Sequence, residues 1–348
     1  MNTLSSLLSL VMLAVTAAGA ERPAVTMSVE PTSTEAPQVS VLPGFALIVA
    51  GEFLMGDAFG EMKDAPQHKV TVSAFYMQKK EVSKAEWDDV REWGLKHGYT
   101  DLAEGNGKAA THPVNSVTWY AAVKWCNARS EKEGLVPCYY TDSVQRDVYR
   151  KGNTNLADTM VKWSATGYRL PTEAEWEKAA RGGLIGKRFP WGNTISHRAA
   201  NFYNGGNEAY CIGTLGYHPA YTAGDEPYTS PVGSFPANGY GLFDVAGNVG
   251  EWCWDWKGTY PTEAETDSRG EDSGLSRVLR GGGWMAGIAD CRVAFRSGNF
   301  PAESDSDLGF RVTRCPFTRM SKNAELHDPD LNNPPRTEPN EPGGLSSL

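Results

Sequence analysis

The sequence predicts an α+β fold in which short strands, a few helices and much irregular chain form one compact domain. The 348 residues include 37 Gly, 11 Trp and 14 Tyr. Many glycines beside many large aromatic residues are typical of a fold rich in turns and held together by bulky side chains. Only three segments carry clear helix signals, and the apolar runs of strand character are short, which together favour α+β.

The first and third predicted helices each begin at a capping box. In EVSKAEWDDVREWG the pair is Ser83 and Glu86, and in RLPTEAEWEKAARGG it is Thr172 and Glu175. In this motif the Ser or Thr side chain accepts from the backbone three residues on, and the Glu side chain reaches back to the cap. Gly182 supplies the expected stop of the third helix.

The second predicted helix lies in SVTWYAAVKWCNARSEKEG and ends at Gly134. Its positions Trp119, Val123 and Cys126 predict one apolar stripe along the helix. Predicted strands lie in FALIVAGEFLMG, HKVTVSAFYMQ, SRVLRGGGW and GFRVTR. Each is a short apolar or β-branched run bounded by turn residues.

Composition divides the chain into four predicted segments. Residues 1–20 have an apolar centre of about eleven residues and end in Ala-Gly-Ala, which predicts a secretory signal, a short lipid-anchored segment being the alternative. Residues 21–41 are rich in Pro, Ser and Thr and predict a flexible linker. Residues 42–315 hold nearly all the aromatics and predict the folded domain, whereas 316–348 predict a disordered tail. We therefore expect an exported protein, periplasmic or secreted, with no transmembrane segment.

Several function classes find no support in the sequence. The net charge of -9 argues against a nucleic-acid partner, because phosphate binding needs a basic surface. The six histidines are scattered, and no HExxH, GxSxG or phosphate-loop pattern occurs.

The cysteine count carries an expectation of its own. An even number of cysteines in an exported protein predicts disulfides, and the absence of a CxxC pair argues against zinc. The six are Cys126, Cys138, Cys211, Cys253, Cys291 and Cys315.

Ordered sequence blocks then indicate a family. GEFLMGD, EVSKAEW, YRLPTEAEWEKAARGG, FPWGN, SPVGSFPANGYGLFDVAGNVGEW, RVLRGGGW and LGFRV stand in the order found in the formylglycine-generating enzyme (sulfatase-modifying factor) family. The resemblance covers residues 42–313. It implies a compact domain with little regular secondary structure, related to the C-type-lectin-like fold, that acts on a peptide or peptide-derived substrate.

The resemblance also implies two structural calcium sites. In FDVAGNVGEW the positions similar to one site are Asp244, Gly247, Val249 and Glu251. Two carboxylates and two backbone carbonyls suit calcium, which takes hard oxygen ligands. A second site would use Asn201, the carbonyl of Phe202 and a carboxylate near AGDEPYTSPV, where the usual acidic position holds Gly224.

The sequence departs from the family at the positions that resemble its copper site. Members that generate formylglycine hold one Cu(I) between two thiolates, which are soft ligands suited to that ion. In RGGGWMAGIADC the serine position is Gly283, the first cysteine position is Ala286, and only Cys291 resembles the second. Copper is therefore not expected. A second departure is Gly250, where the family usually has tryptophan; either the pocket is wider here, or the nearby tryptophans compensate.

Cys291 has three interpretations: half of a disulfide, with Cys253 a candidate partner, a buried free thiol, or a catalytic thiol. For the whole chain three functions stay open. The first is an oxidase or maturation factor that acts on a peptide substrate without the two-thiol copper site. The second is a non-catalytic, calcium-stabilised, lectin-like binding protein. The third is a formylglycine-generating oxidase with an altered site.

Overall fold

A computed structural model describes residues 42–316 of the chain, and these residues belong to one compact unit. This confirms the predicted single α+β domain with little regular secondary structure. The predicted segments 1–20 and 21–41, and the predicted tail apart from Pro316, lie outside the described residues. Ten short strands and three α-helices alternate with long irregular connections.

Two three-stranded sheets come largely from the first part of the domain. One has the order β1 (Phe45–Ile48), β4 (Phe75–Gln78) and β10 (Thr313–Arg314), all antiparallel neighbours. The other has the order β2 (Gly51–Met55), β3 (His68–Val72) and β6 (Glu265–Thr266). Pairing of β10 with β4 brings the end of the described chain back to its beginning.

A four-stranded sheet carries the candidate site. Its order is β8 (Ser297–Asn299), β7 (Arg277–Arg280), β5 (Gly250–Trp256) and β9 (Leu308–Gly309). Strand β5 was not predicted, although Trp252, Trp254 and Trp256 alternate with Glu251, Cys253 and Asp255 in the run GEWCWDW. All seven of its residues are buried, so both faces of the strand are covered. The polar positions Glu251 and Asp255 are buried as well, and both accept hydrogen bonds inside the fold.

The three helices confirm the predicted starts. Helix α1 (Lys84–Leu95) and helix α3 (Glu173–Ala180) both have the complete capping box. Helix α2 (Trp119–Lys132) is capped by Thr118 and buries ten consecutive residues, Trp119 to Ala128. Trp119, Val123 and Cys126 are buried as predicted, but burial extends beyond one stripe of the helix. The rest of the domain surrounds this helix, and small residues such as Ala121 and Ala122 allow close packing.

Buried ion pairs join helix α3 to the four-stranded sheet. Glu177 on α3 pairs with Arg181 at 2.6 Å and with Arg280 at the end of β7. Glu173 pairs with Arg296 at 2.6 Å. Burial opposes ionisation of Glu177, but the two arginines lower the pKa of its carboxyl. Removing one partner of such a pair leaves an uncompensated buried charge, so the end of β7 is firmly placed.

Candidate functional site

A cavity of about 260 Å³ opens beside the glycine turn that follows β7. Its floor contains Gly250 at the start of β5 and the turn residues Gly282 and Gly283. The antiparallel register of β5 with β7 and its parallel register with β9 bring these segments together, Gly250 facing Leu308. The cavity is thus built from the positions where the sequence departs from its family, Gly250, Gly283 and Ala286.

The glycine at position 283 is required by a close approach of Asp307. A Cβ atom added to Gly283 would lie 2.9 Å from both the Cβ and the Oδ2 of Asp307. Separations below 3.0 Å are essentially never seen for real Cβ atoms, so a serine here needs the 305–308 segment to move. At Gly250 an added Cβ would lie 3.2 Å from the Cδ2 of Leu308. This contact is tight but involves the end of a flexible side chain, so a larger residue at position 250 needs Leu308 to shift.

Two carboxyl groups line the cavity from different segments. Asp290 belongs to a short 3-10 helix (Ile288–Cys291), and Asp307 immediately precedes β9. Burial raises the pKa of Asp307 to about 6, helped by the charges of Asp305 and Asp290. Burial also raises the pKa of Asp290. Sequence reasoning missed both residues, because aspartates in irregular chain carry no motif that would distinguish them.

No cysteine is among the residues that line this cavity. Ala286 lies in the wall at the position that resembles the first copper-binding cysteine. Cys291 is completely buried and packs in an apolar cluster with Phe189, Ile195 and Phe202. Burial raises the pKa of its thiol far above the ordinary value, which suppresses the reactive thiolate. These surroundings favour the buried free thiol among the three interpretations of Cys291.

The predicted disulfides are absent from the structure. All six cysteines lie within the described residues, and all six are free thiols. Cys253 belongs to the apolar cluster around Trp176 and Ile48, whereas Cys291 belongs to a different cluster. The thiol that influences Cys291 electrostatically is Cys211. The suggested pairing of Cys291 with Cys253 is therefore wrong, since the two residues pack in separate parts of the core.

The loop predicted to bind calcium forms a tight turn before β5. Asp244, Gly247 and Asn248 have φ angles of 53°, 79° and 66°, in the left-handed region. Glu251 accepts from the Arg311 Nε at 2.7 Å and from a terminal Arg311 nitrogen at 2.6 Å. It also accepts from the Trp176 Nε1 at 2.7 Å. A protein cation and an indole thus already bind this predicted ligand.

Asp244 has an unsatisfied oxygen. Its Oδ2 accepts from the backbone of Gly233, but its Oδ1 is buried and has no hydrogen-bond partner. Burial raises the pKa of Asp244 to about 6. Buried polar atoms normally have a partner, so an orphaned carboxylate oxygen is a reason to consider a cation.

A third buried carboxyl group, Glu81, was not predicted. Its oxygens accept from the Asn248 Nδ2 at 2.6 Å and from the Val249 backbone at 3.2 Å. Burial, then the charges of Asp244 and Glu251, raises its pKa well above the ordinary value. Three carboxyl groups therefore surround one guanidinium, that of Arg311. An additional cation would balance part of the negative charge that these carboxyl groups carry when ionised.

The arrangement of the donor atoms supports a metal ion less strongly than the charge of the loop does. Across residues 42–316, no three His, Cys, Asp or Glu side chains are arranged so that they could hold a metal ion. A calcium ion would be held by Asp244 Oδ1 and by the carbonyls of Gly247 and Val249, with Glu251 shared with Arg311. The residues thus fit calcium in chemistry, since all of these donors are oxygens.

The second predicted calcium site lacks its carboxylate in the expected place. Asn201 is buried, and its Nδ2 donates to the Tyr228 carbonyl at 2.8 Å. The Phe202 carbonyl lies 3.1 Å from the His197 Nε2, which can donate to it. Asp225 and Glu226, the acidic residues beside Gly224, are exposed. This site stays a prediction, and a metal would have to displace the His197 contact.

The surface beside the cavity is aromatic. Trp284, the residue after Gly283, is fully buried and packs with Tyr217 at 5.6 Å and Tyr228 at 5.2 Å between ring centroids. Tyr203 packs on Tyr217 at 4.9 Å, and its backbone N–H donates to the Ala286 carbonyl at 3.0 Å. Tyr203 is 39% exposed, so part of this aromatic cluster faces solvent.

Fold and site together define a C-type-lectin-like α+β domain with a small cavity beside a glycine turn. Residues 30–316 match the family model described as the sulfatase-modifying factor enzyme 1-like domain. The chain belongs to this family, as its ordered sequence blocks predicted. Within residues 42–316, no helix combines the length and the apolar character needed to cross a membrane.

Known relatives agree with the family assignment. The chain is 35% identical over 303 residues to the formylglycine-generating enzyme of Mus musculus, covering 81% of this chain and 77% of the relative. It is 36% identical over 264 residues to chaperone protein LppX of Paenibacillus barcinonensis, covering 74% and 87%. The solved Treponema denticola variable protein 1 superposes with a TM-score of 0.59 at 31% identity, covering 78% of this chain and 95% of that protein.

Proposed function

We propose that this chain is an exported sulfatase-modifying-factor-like maturation factor that binds a peptide or peptide-derived substrate in the cavity at Gly283. On this proposal the chain acts on its substrate without the two-thiol copper site. The observation that carries it is the cavity itself, which is retained while its wall has alanine and glycine at the family's thiol and serine positions.

Three further features support a peptide as the substrate. The cavity is small enough to take one side chain rather than a large ligand. The half-exposed tyrosines around Trp284 provide an adjacent surface for the rest of a peptide, and tyrosine is enriched at such interfaces. Relatives of this chain are named formylglycine-generating enzyme and chaperone protein, names that fit an action on other proteins.

The experiment measures peptide binding by the full chain and by a variant in which a larger side chain fills the cavity. Ala286→Phe introduces a large side chain into the wall, whereas Ala109→Phe makes the same change at an exposed position outside the cavity. A fluorescently labelled peptide library is equilibrated with each protein. We expect bound peptides to lose at least about tenfold in affinity with Ala286→Phe, about 1.4 kcal/mol, and to keep it with Ala109→Phe. Equal binding by both variants would contradict a role for the cavity.

The orphaned Asp244 oxygen supports a second candidate function. A calcium-stabilised, non-catalytic binding protein would use the same aromatic surface and cavity without turning the substrate over. The two candidates differ in the fate of a bound peptide. Mass spectrometry of the peptide after incubation with the full chain distinguishes them, because a changed mass supports the maturation factor and an unchanged mass supports the binding protein.

A further inference from the structure

We propose that the cavity at Gly283 selects a primary ammonium group on an aliphatic chain, a lysine side chain or its free-amine equivalent, and that Asp307 is the specificity-determining residue. This inference rests on the proposed function, because it names the chemical class of group that enters the same cavity.

The shape and walls of the cavity favour an aliphatic chain. Its lining includes the apolar side chains of Leu279, Met285, Phe295 and Leu308. Met285 is 38% exposed, and a thioether adapts readily to the shape of a flexible ligand. About 260 Å³ accommodates one long side chain. Apolar walls around a few polar groups are what a selective small pocket requires.

The polar groups that line the cavity include two carboxylates, Asp290 and Asp307, together with Ser297 and Arg280. Asp307 lies against Gly283, with its Oδ2 2.9 Å from the point where a Cβ of residue 283 would be. Asp290 enters from the 3-10 helix, and its Oδ2 accepts from the backbone of Gly287 at 3.2 Å. The two charges interact, as the effect of Asp290 on Asp307 shows. An ammonium that reached both carboxylates would relieve this repulsion and donate charge-assisted hydrogen bonds to their oxygens.

The arginines around the cavity are already paired elsewhere. Arg280 lines the cavity, but its guanidinium donates to Glu177 and to the carbonyls of Val293 and Phe295. The guanidinium of Arg292, whose charge lowers the pKa of Asp290, forms an ion pair with Glu61. The excess negative charge at the cavity floor is therefore available to a ligand. An opposite charge brought to a half-buried carboxylate interacts more strongly than it would in open solvent.

The test is calorimetric titration of the full chain with matched probes. N-acetyl-lysine N-methylamide presents the ammonium as in a peptide, N-acetyl-norleucine N-methylamide keeps the aliphatic chain without the charge, and pentane-1,5-diamine presents the free amine. We expect the lysine probe to bind at least about tenfold more tightly than the norleucine probe. Tighter binding of the diamine than of the lysine probe would assign the site to a free amine; the reverse would assign it to a peptide.

Asp307→Asn and Glu303→Gln provide matched variants. Both remove one negative charge, but Glu303 is exposed and does not line the cavity. We expect Asp307→Asn to abolish the preference for lysine over norleucine and Glu303→Gln to keep it. An equal preference in the two variants, or none in the native chain, would overturn the inference. Thermal unfolding of Asp307→Asn at or above the native midpoint shows that lost binding is not lost folding.

Failure of this inference is distinguishable from failure of the proposed function. If peptides bind in the cavity, as judged by their loss with Ala286→Phe, but show no preference for lysine, the proposed function stands and the ammonium selectivity is wrong. If Ala286→Phe changes the binding of no peptide and no probe, the cavity is not the substrate site, and both are wrong.

Discussion

Asp307 occupies the space above Gly283 that a side chain at position 283 would need. The Cβ–Cβ separation for any larger residue would be 2.9 Å, so the two positions are sterically coupled. The glycine is therefore not simply a lost serine. It accompanies an aspartate that lines the cavity, so that two carboxyl groups, Asp290 and Asp307, are among the polar groups of its lining.

This coupling predicts the effect of restoring the serine. Gly283→Ser should lower the free energy of unfolding by about 1–3 kcal/mol, the usual cost of overpacking. Ala286→Cys adds a comparable small group to a half-buried wall position and should cost less than about 1 kcal/mol. Chemical denaturation of the full chain measures both. Adding Asp307→Gly to Gly283→Ser should recover most of the loss, and no recovery would contradict the steric coupling.

A second prediction concerns the pH dependence of stability. The pKa of Asp307 in the folded protein is about 6, above its ordinary value of 3.8, because burial disfavours the charged form. A raised carboxyl pKa means that the folded state binds the proton more tightly, so this contribution to stability is full below about pH 4 and is lost as the pH rises through 6.

Asp307→Asn cannot ionise and should therefore be more stable than the native chain at pH 8, by about 1–2 kcal/mol, with a smaller difference at pH 4. Urea denaturation at both pH values measures the difference. Glu303→Gln is the control and should show no such pH-dependent gain. A variant Asp307→Asn that is less stable at pH 8 would show that the carboxylate is favourably paired. A functional carboxylate kept at a cost in stability is common at binding sites.

A third prediction concerns calcium at the 244–251 loop. A metal that binds only the folded state stabilises it by mass action, about 2.7 kcal/mol at a free concentration 100 times the dissociation constant. Chelation should therefore lower the melting temperature of the full chain. Asp244→Asn should remove this response, whereas Asp272→Asn, at an exposed position outside both predicted calcium sites, should keep it. An unchanged melting temperature after chelation of a preparation shown to contain calcium would count against the site.

A fourth prediction concerns the thiols. Because all six cysteines are free, six thiols per chain should react with a chromogenic reagent after unfolding without a reductant. In the native state only the half-exposed Cys211 and Cys315 should react quickly. Fewer than six after unfolding would mean that disulfides form in the isolated protein. Cys291→Ala should leave peptide binding unchanged while lowering stability, since its side chain is completely buried.

Local signals in the sequence were sufficient to predict part of the fold. Both capping boxes form as predicted, because Ser83 and Thr172 act on residues only three positions away. Strand β5 was missed because Glu251 was assigned to a calcium-binding loop, although Trp252, Trp254 and Trp256 show the alternation of a strand. That the six cysteines are free thiols could not be foreseen either, since it depends on which core cluster each thiol joins.

The candidate site was predictable only in outline. The family resemblance identified Gly250, Gly283 and Ala286 as departures, and the structure places all three around one cavity. Asp290 and Asp307 were not predicted as site residues, because they line the cavity only through the long-range approach of the 305–308 segment to the glycine turn. Glu81 was not predicted for the same reason, because it lies 163 residues before Asp244 in the chain and comes close to it only in the folded protein.

The central claim is that this member of the family retains the cavity without the copper chemistry of its thiol-bearing relatives. Its most direct test is an anaerobic Cu(I) titration of the reduced full chain against a competing chelator, followed by oxygen uptake with a cysteine-containing sulfatase peptide. The expected result is no tight, stoichiometric Cu(I) binding and no peptide-dependent oxygen uptake. One tightly bound copper per chain, with oxygen consumed as the peptide cysteine is converted, would contradict the account.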